Sequence, residues 1–473
     1  MTKIRQMTIL KWKPKLEKEK VGVFVVSKLR SAGFKNSFFV GGYVRDLLLG
    51  RQETGAIDVA TEATPKQVIK VLARSRIRTI PTGLKHGTVT AHQKGVDIEI
   101  TTFRSEGKYL DARRPSAVKF IRSVEQDSAR RDFTVNALYF DPITKKVLDF
   151  AGGLDDLEKK TLRFVGSPKK RIAEDALRLM RAVRFATTLG FKFSSGVERA
   201  LRAGAPLIKK ISRERVKQEL DRIMISPKRA DGVGILKRIG LLGLILPEFD
   251  RLSKVRQSKN YHSEGNVFVH TLLALELIEH NTDLSTIYGL LFHDIGKQNT
   301  SQETKKRGRA HISFHGHQDS GEGIVRKILP RLRFSNREVE DITWYVRNHH
   351  VPVDLPNMRE AKRVAWCLDP RFENLLKLFR ADSLASIPSD SRGRKLKPSL
   401  KLYDYARNAW LEVKKRKIVE RLVSGHEIMK ILAIPEGVQV GRVLSKIREL
   451  QLEGKIVSKK QVLDYLKKNR KVL

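Results

Sequence analysis

The chain has 473 residues, 40% of them apolar and 31% charged, and its 94 Lys and Arg against 52 Asp and Glu give a net charge of +42. That length accommodates roughly three or four domains, and so large a basic excess, spread along the chain, implies a polyanionic partner, because each phosphate neutralised by Lys or Arg releases condensed counterions. The lone Cys367 excludes a disulfide framework or a Cys-rich zinc module, no run reaches the ~18 apolar residues that span a bilayer, and lysines break up the N-terminus too much for a signal peptide, so a cytoplasmic location is expected.

From about 21 to 165, short β-rich runs (SFFVGGYV, GAIDVAT, GTVTAHQ, VDIEITTF) alternate with helical ones such as TPKQVIKVLARS, the pattern of an α+β domain. In FFVGGYVRDLLLG, Gly41 and Gly42 end an apolar strand and open a helix. Glycine lets the backbone approach phosphate oxygens closely, and the helix N-terminus offers free N–H groups. Arg45, one turn in, is placed to grip a phosphate bidentately. The next acid-bearing strand holds Asp58, and VDIEITTFR holds Asp97 and Glu99 on one face. Paired carboxylates hold Mg²⁺, which neutralises a triphosphate and activates an attacking hydroxyl. Two residues before Asp58 stands Ala56, which ligates nothing; Glu99 is the natural additional carboxylate, with Asp97 and Glu53 as further candidates. In DSARRDFTVNAL, Arg130, Arg131 and Asp132 form a charged knot fit to close over a triphosphate.

From 166 the pattern turns helical. EDALRLMRAVRF sets Asp175, Arg178, Arg181 and Arg184 at three-residue steps, which on one continuous helix share a face. An Asp accepting from an exocyclic amine, beside an Arg donating to the adjacent ring nitrogen, matches cytosine and adenine and is reversed for uracil and guanine. Residues 256 to about 390 are helical and hold most of the chain's 12 histidines. Here His270, the doublet His293–Asp294, His317, His349 and Asp382 follow in order, with the imidazoles and carboxylates that a divalent metal takes. Lys297 follows the doublet and could contact phosphate, while His311, His315 and His350 are assigned to the surroundings. PSDSRGRKLKPS reads as a linker, and basic amphipathic helices follow it.

Taken together and in this order, GGYVRD, AIDVAT, VDIEITTFRSEGKYLDARRP, RRDFTVNAL, EDALRLMRAVRFA, SRERVKQELDRI and IPEGVQVGRVLSKIRELQLEG resemble the class II tRNA nucleotidyltransferase and bacterial poly(A) polymerase family, the CCA-adding enzyme type. The family has Asp where this chain has Ala56. The H…HD…H…H…D set resembles the HD superfamily of metal-dependent phosphohydrolases, a domain that many bacterial members carry. The resemblance implies a nucleotidyltransferase-type α/β head over 21–165 behind a basic extension (1–20). A mostly α-helical neck with a nucleotide- and RNA-binding role (166–255), an HD body (256–395) and a helical RNA-binding tail (396–473) follow.

It also implies template-independent addition of C and/or A, from CTP and ATP, to the 3′ end of tRNA held by its acceptor arm, with no membrane partner. Asp58 and Glu99 would be catalytic, Asp58 holding Mg²⁺. Gly41, Gly42, Arg45 and Arg131 would bind the nucleotide's phosphates, and Asp175 and Arg178 would read its base with support from Arg181 and Arg184. His270, His293, Asp294 and Asp382 would hold one divalent metal, of the Mn, Ni or Fe kind, with His317 and His349 toward a second. Two alternatives stay open: a poly(A) polymerase of the same family, and a weakened head that binds RNA beside an active HD phosphohydrolase.

Overall fold

The computed structural model describes residues 5–8, 12–51, 55–106, 118–258, 261–306, 309–390, 393–416 and 421–470. Glu53, the KYLDARRP stretch and the side chain of His311 lie outside the described residues. The chain is α+β and divides into two compact units, residues 1–245 and 246–473.

In the first unit, ten strands are described before residue 150: β1 (Arg5–Thr8), β2 (Ser37–Val40), β3 (Asp58–Thr61), β4 (Arg78–Gly83), β5 (Thr88–Gln93), β6 (Val96–Thr102), β7 (Arg104–Glu106), β8 (Val118–Phe120), β9 (Leu138–Asp141) and β10 (Lys146–Asp149). Eight form one mixed sheet in the order β1-β10-β9-β2-β3-β6-β5-β4, while β7 and β8 pair separately. Only β3 and β6 run parallel within the large sheet. The central strands β2 and β9 are buried along their whole length, as their aromatic runs SFFV and LYFD require. Phe38, Val40, Ala60, Phe103 and Tyr139 pack as one apolar cluster. The Glu17–Ser31 helix lies against β6 and the Pro65–Arg74 helix against β4 and β5.

The continuous helix expected through EDALRLMRAVRF is interrupted. A first helix, Pro168–Glu174, stops at Asp175, whose backbone is extended (φ −141°, ψ 106°), and a second begins at Arg178 and runs to Leu189. The cause is local. One Asp175 carboxylate oxygen accepts the N–H of Leu177 at 3.0 Å and its carbonyl accepts the N–H of Arg178 at 3.0 Å. Asp side chains compete in this way with the helical ladder. Asp175 therefore does not share a helix face with the three arginines.

The second unit is helical, with one antiparallel hairpin, Gln302–Lys306 against Arg309–Ser313. Helices Val267–Leu277, Leu284–Phe292, His317–Arg331, Asn336–Asn348 and Phe372–Ala385 pack together. Gly296, just before the Lys297–Thr300 helix, sits tightly against the start of His317–Arg331: a Cβ there would collide with the carbonyl oxygen of His317. The last three helices described, Gly425–Leu432, Val438–Leu452 and Lys459–Asn469, enclose their own core of Ile428, Val443, Ile447, Val462 and Leu466.

Candidate active site and metal centre

The sheet places the first acids by register. Val40 pairs with Asp58 on one side and Tyr139 on the other, and Asp58 pairs with Glu99 across the parallel β3/β6 step. In-register residues of neighbouring strands share a face, so Glu99, Asp58 and the end of β2 form one row. The chain leaves that row through Gly41 at φ +73°, a conformation side chains resist. A Cβ on Gly41 would stand 3.6 Å from an Asp58 carboxylate oxygen, which puts the Gly-Gly turn directly beside the acid. Burial and the neighbouring Glu99 carboxylate raise Asp58 to about 6, against the pull of Arg131. A buried Asp58 raised in this way beside the Glu99 carboxylate suits a divalent cation with oxygen ligands. Ala56 is exposed and precedes the first residue of β3. Asp97 is exposed as well and bonds His92 of the adjacent strand at 2.7 Å, directed away from Asp58 by that partner.

The arginines are already engaged. Arg45 is buried and donates to both carboxylate oxygens of Asp46 (2.9 and 2.8 Å) and to Asn136 (2.8 Å). Arg131 donates to the Tyr139 hydroxyl at 2.9 Å and to Asp127 at 3.2 Å. Asp127, only 1% exposed, also takes Arg130 and the Tyr139 hydroxyl, so it organises the knot that the sequence showed only as RRD. Its one signal in the sequence is its place four residues before Arg131, on a short helix. Asp132 pairs with Arg181, Arg178 with Glu174 at 2.7 Å, and Arg184 with Glu219 at 2.6 Å. Burial lowers Arg184 to about 10 despite that Glu219 partner. The Asp175 carboxylate bonds the Arg215 side chain at 3.3 Å, while the Arg178 side chain goes to Glu174. Arg215 and Glu219 are residues that pattern reading missed, because they come from a different helix, Arg213–Met224.

The second unit gathers its histidines and acids much more tightly. His293, His317 and His349 each direct Nδ1 at the backbone carbonyl three residues earlier (Leu290, Phe314 and Val346, 2.7 to 2.8 Å). That bond accounts for the proton on Nδ1 and leaves Nε2 as the nitrogen a metal would take, once any proton there has left. His293 Nε2 is buried without a hydrogen-bond partner, 3.3 Å from Asp294 and 3.5 Å from Asp382. The Nε2 atoms of His317 and His349 face each other at 3.2 Å, and burial lowers both, His317 to about 4. His270 Nε2 lies 2.9 Å from Asp382 and 3.9 Å from Asp294. Burial alone would depress His293, but Asp294 and Asp382 outweigh it and raise it to about 10. Against burial, His293 and Lys297 hold Asp294 well below the usual carboxylate range. Lys297 is buried between Asp294 (2.6 Å) and Gln257 (3.0 Å).

These groups border a cavity of about 370 Å³ lined by His262, Asp294, Lys297, His317, His350 and Asp382, among others. His270, His293 and Asp382 bring ligand atoms within 4.8 Å of one another, and so do His317, His349 and His350. Converging lone pairs and an unpartnered buried imidazole fit metal ions. The structure thus brings His270, His293, Asp294, His317, His349 and Asp382 together, and adds His350, half-buried, to the second group. His315 is exposed.

Fold and site define a nucleotidyltransferase-type head followed by helical domains, one of them an HD-type centre. Three family models match: "Poly A polymerase head domain" over residues 37–163, "Probable RNA and SrmB- binding site of polymerase A" over 190–252, and "HD domain" over 261–386. Together these matches make the chain similar to the CCA-adding and poly(A) polymerase family with an HD domain. The chain is 43% identical over 217 residues to the CCA-adding enzyme of Geobacillus thermodenitrificans (strain NG80-2), covering 46% of this chain and 52% of that protein. It is likewise 43% identical over 212 residues to the CCA-adding enzyme of Streptococcus pyogenes serotype M2 (strain MGAS10270), covering 45% and 51%. The chain thus spans about half the length of the curated relatives it matches. Among solved structures, it superimposes on the Bacillus stearothermophilus CCA-adding enzyme in complex with CTP with a TM-score of 0.72 at 24% identity, covering 97% of this chain and 98% of that one. The Thermotoga maritima CCA-adding enzyme complexed with tRNA gives 0.61 at 17%, covering 98% and 99%. Both likenesses are of fold.

Proposed function

We propose that this protein adds C and/or A, from CTP and ATP, to the 3′ end of tRNA without a template, and that its HD centre is a metal-dependent phosphohydrolase. The observation that carries the first half is the register of Asp58 against Glu99 beside the Gly41–Gly42 turn. The relatives named CCA-adding enzymes, and the structural neighbours bound to CTP and tRNA, support it. In this reading the head is 21–165, the neck 166–255, the HD body 256–395 and the RNA-binding tail 396–473, behind a basic extension (1–20). A cytoplasmic location accords with it; no helix among the described residues is long and apolar enough to cross a membrane.

Asp58 and Glu99 would hold Mg²⁺, which when bound supplies charge neutralisation for the triphosphate and a more acidic attacking hydroxyl. Gly41 and Gly42 admit the phosphates to the turn, and Arg131, fixed by Asp127 and Tyr139, holds positive charge against them. Arg45, tied to Asp46 and Asn136, fixes the helix that follows the turn and keeps free N–H capacity for a phosphate oxygen. Asp175 and Arg178 would read the base, held by Arg215 and Glu174, with Arg181 and Arg184 buttressing through Asp132 and Glu219. In the second unit, His270, His293, Asp294 and Asp382 would hold one divalent ion of the Mn, Ni or Fe kind, and His317 and His349 a second. Lys297 places a cation at the cavity wall, suited to a phosphoester.

Ala56 favours one competing reading, a head that binds RNA without transferring nucleotide. Poly(A) addition is the other. Labelled CTP, ATP, UTP and GTP offered with tRNA lacking its 3′ end, and with an unrelated RNA, test all three. We expect C and/or A on tRNA, stopping within three residues. Long A tracts on any RNA would establish the polymerase instead, and no incorporation the RNA-binding module.

A further inference from the structure

Three of the four buried imidazoles in the HD centre are oriented by a backbone carbonyl three residues earlier; His270 is not. Its Nδ1 bonds a side chain, Glu264, at 3.0 Å. A carboxylate only accepts, so this bond places the proton on Nδ1 and turns Nε2 toward Asp382 and Asp294. Glu264 has 3% of its side chain exposed. Its second oxygen accepts the N–H of Ile387 at 3.0 Å, and the neighbouring Ser263 donates its N–H (2.8 Å) and hydroxyl (2.9 Å) to the Ile387 carbonyl. Ile387 lies just past the helix that carries Asp382, and Glu264 just before the helix that carries His270.

We propose that Glu264 is a positioning residue of the HD centre, holding His270 in its metal-ligating tautomer and fixing the distance between His270 and Asp382. The inference rests on the HD centre binding metal. The Oε1 atom that takes His270 also takes Nδ1 of His262 at 2.7 Å, and His262 lines the cavity. His262, Glu264 and His270 therefore also form a group of metal-ligand geometry, and the test must separate the two roles.

Glutamine at 264 keeps the shape but cannot satisfy both demands. With its oxygen toward His270, its amide faces the Ile387 N–H; turned over, it donates to His270 and drives the proton to Nε2. Metal-stripped full-length wild type, Glu264→Gln and His262→Ala would be titrated with Mn²⁺, reading affinity and stoichiometry, alongside melting without metal. We expect Glu264→Gln to lose about 10- to 100-fold in affinity while still folding, with metal-free melting lowered through the unsatisfied Ile387 N–H, and His262→Ala to bind as wild type does. Wild-type affinity in Glu264→Gln overturns the proposal, and so does an equal loss in His262→Ala, which makes Glu264 a ligand. A wild type that binds no Mn²⁺ removes the HD-centre reading itself. Should Glu264→Gln fail to fold, nitrogen-15 shifts of His270 in wild type decide: a protonated Nδ1 supports the role and an unprotonated Nδ1 overturns it.

Discussion

The two candidate centres reach metal-binding geometry by opposite routes. In the head, two carboxylates are set side by side by strand register, and Ala56, at the place where the family has a third acid, is exposed and outside the strand. In the second unit, six candidate ligand side chains converge, and backbone carbonyls or a buried carboxylate hold the four imidazoles. A register-built pair lacks redundancy, so one substitution changes its capacity outright. A clustered site distributes orientation over many bonds and commits buried polar groups that are costly without their cation. The head's capacity should thus be limited by charge, and the HD centre's by the integrity of its cluster.

The sharpest separation comes from His293→Ala. It removes a buried imidazole nitrogen of the HD cluster that has no hydrogen-bond partner among the described residues. Metal analysis should show loss of HD-bound metal, and any phosphoester hydrolysis by the protein should vanish, while nucleotide incorporation stays close to wild type. Falling incorporation would mean that the centres are not independent. Next in size is Glu99→Ala, which leaves Asp58 alone in its row. Phosphoryl transfer depends on charge neutralisation, so single-turnover incorporation should fall roughly 10²-fold or more, with nucleotide binding retained. An unchanged rate would remove Glu99 from the site.

A smaller effect distinguishes the centres by pH. His293 is raised from 6.5 to about 10 by its carboxylate neighbours. A raised folded-state value contributes stability that is complete below 6.5 and is lost as pH rises toward 10. Metal-stripped protein should therefore melt a few degrees lower at pH 9.5 than at pH 6.5, in the part of the unfolding curve that His293→Ala flattens. Metal affinity should move the other way, because the bound proton must leave first. Metal-free melting that rises over this interval would contradict the assignment of the proton.

Much of this was legible in the sequence, for identifiable reasons. The turn at Gly41, the acid at Asp58 and the order His270, His293–Asp294, His317, His349 and Asp382 are local signals that no distant contact has to reveal. The register of Asp58 against Glu99 is non-local and becomes visible only once β3 and β6 pair. The break at Asp175 escaped because the apolar spacing of EDALRLMRAVRF runs straight through it, while a side-chain bond to the Leu177 N–H ends the helix. Partners such as Arg215, Glu219 and Glu264 sit in ordinary-looking positions, and their roles come from what tertiary packing brings opposite them. In the folded chain Arg45, Arg178, Arg181 and Arg184 each meet an acid.

The claim that charge limits the head is tested most directly at Ala56. Single-turnover incorporation of labelled CTP and ATP into tRNA lacking its 3′ end would be compared between wild type and Ala56→Asp at saturating Mg²⁺. A second carboxylate two residues before Asp58 should raise the rate roughly 10²-fold, worth about 3 kcal/mol of barrier, without altering the choice of base. If wild type already matches Ala56→Asp, Asp58 and Glu99 alone suffice, and the account of a charge-limited head is wrong.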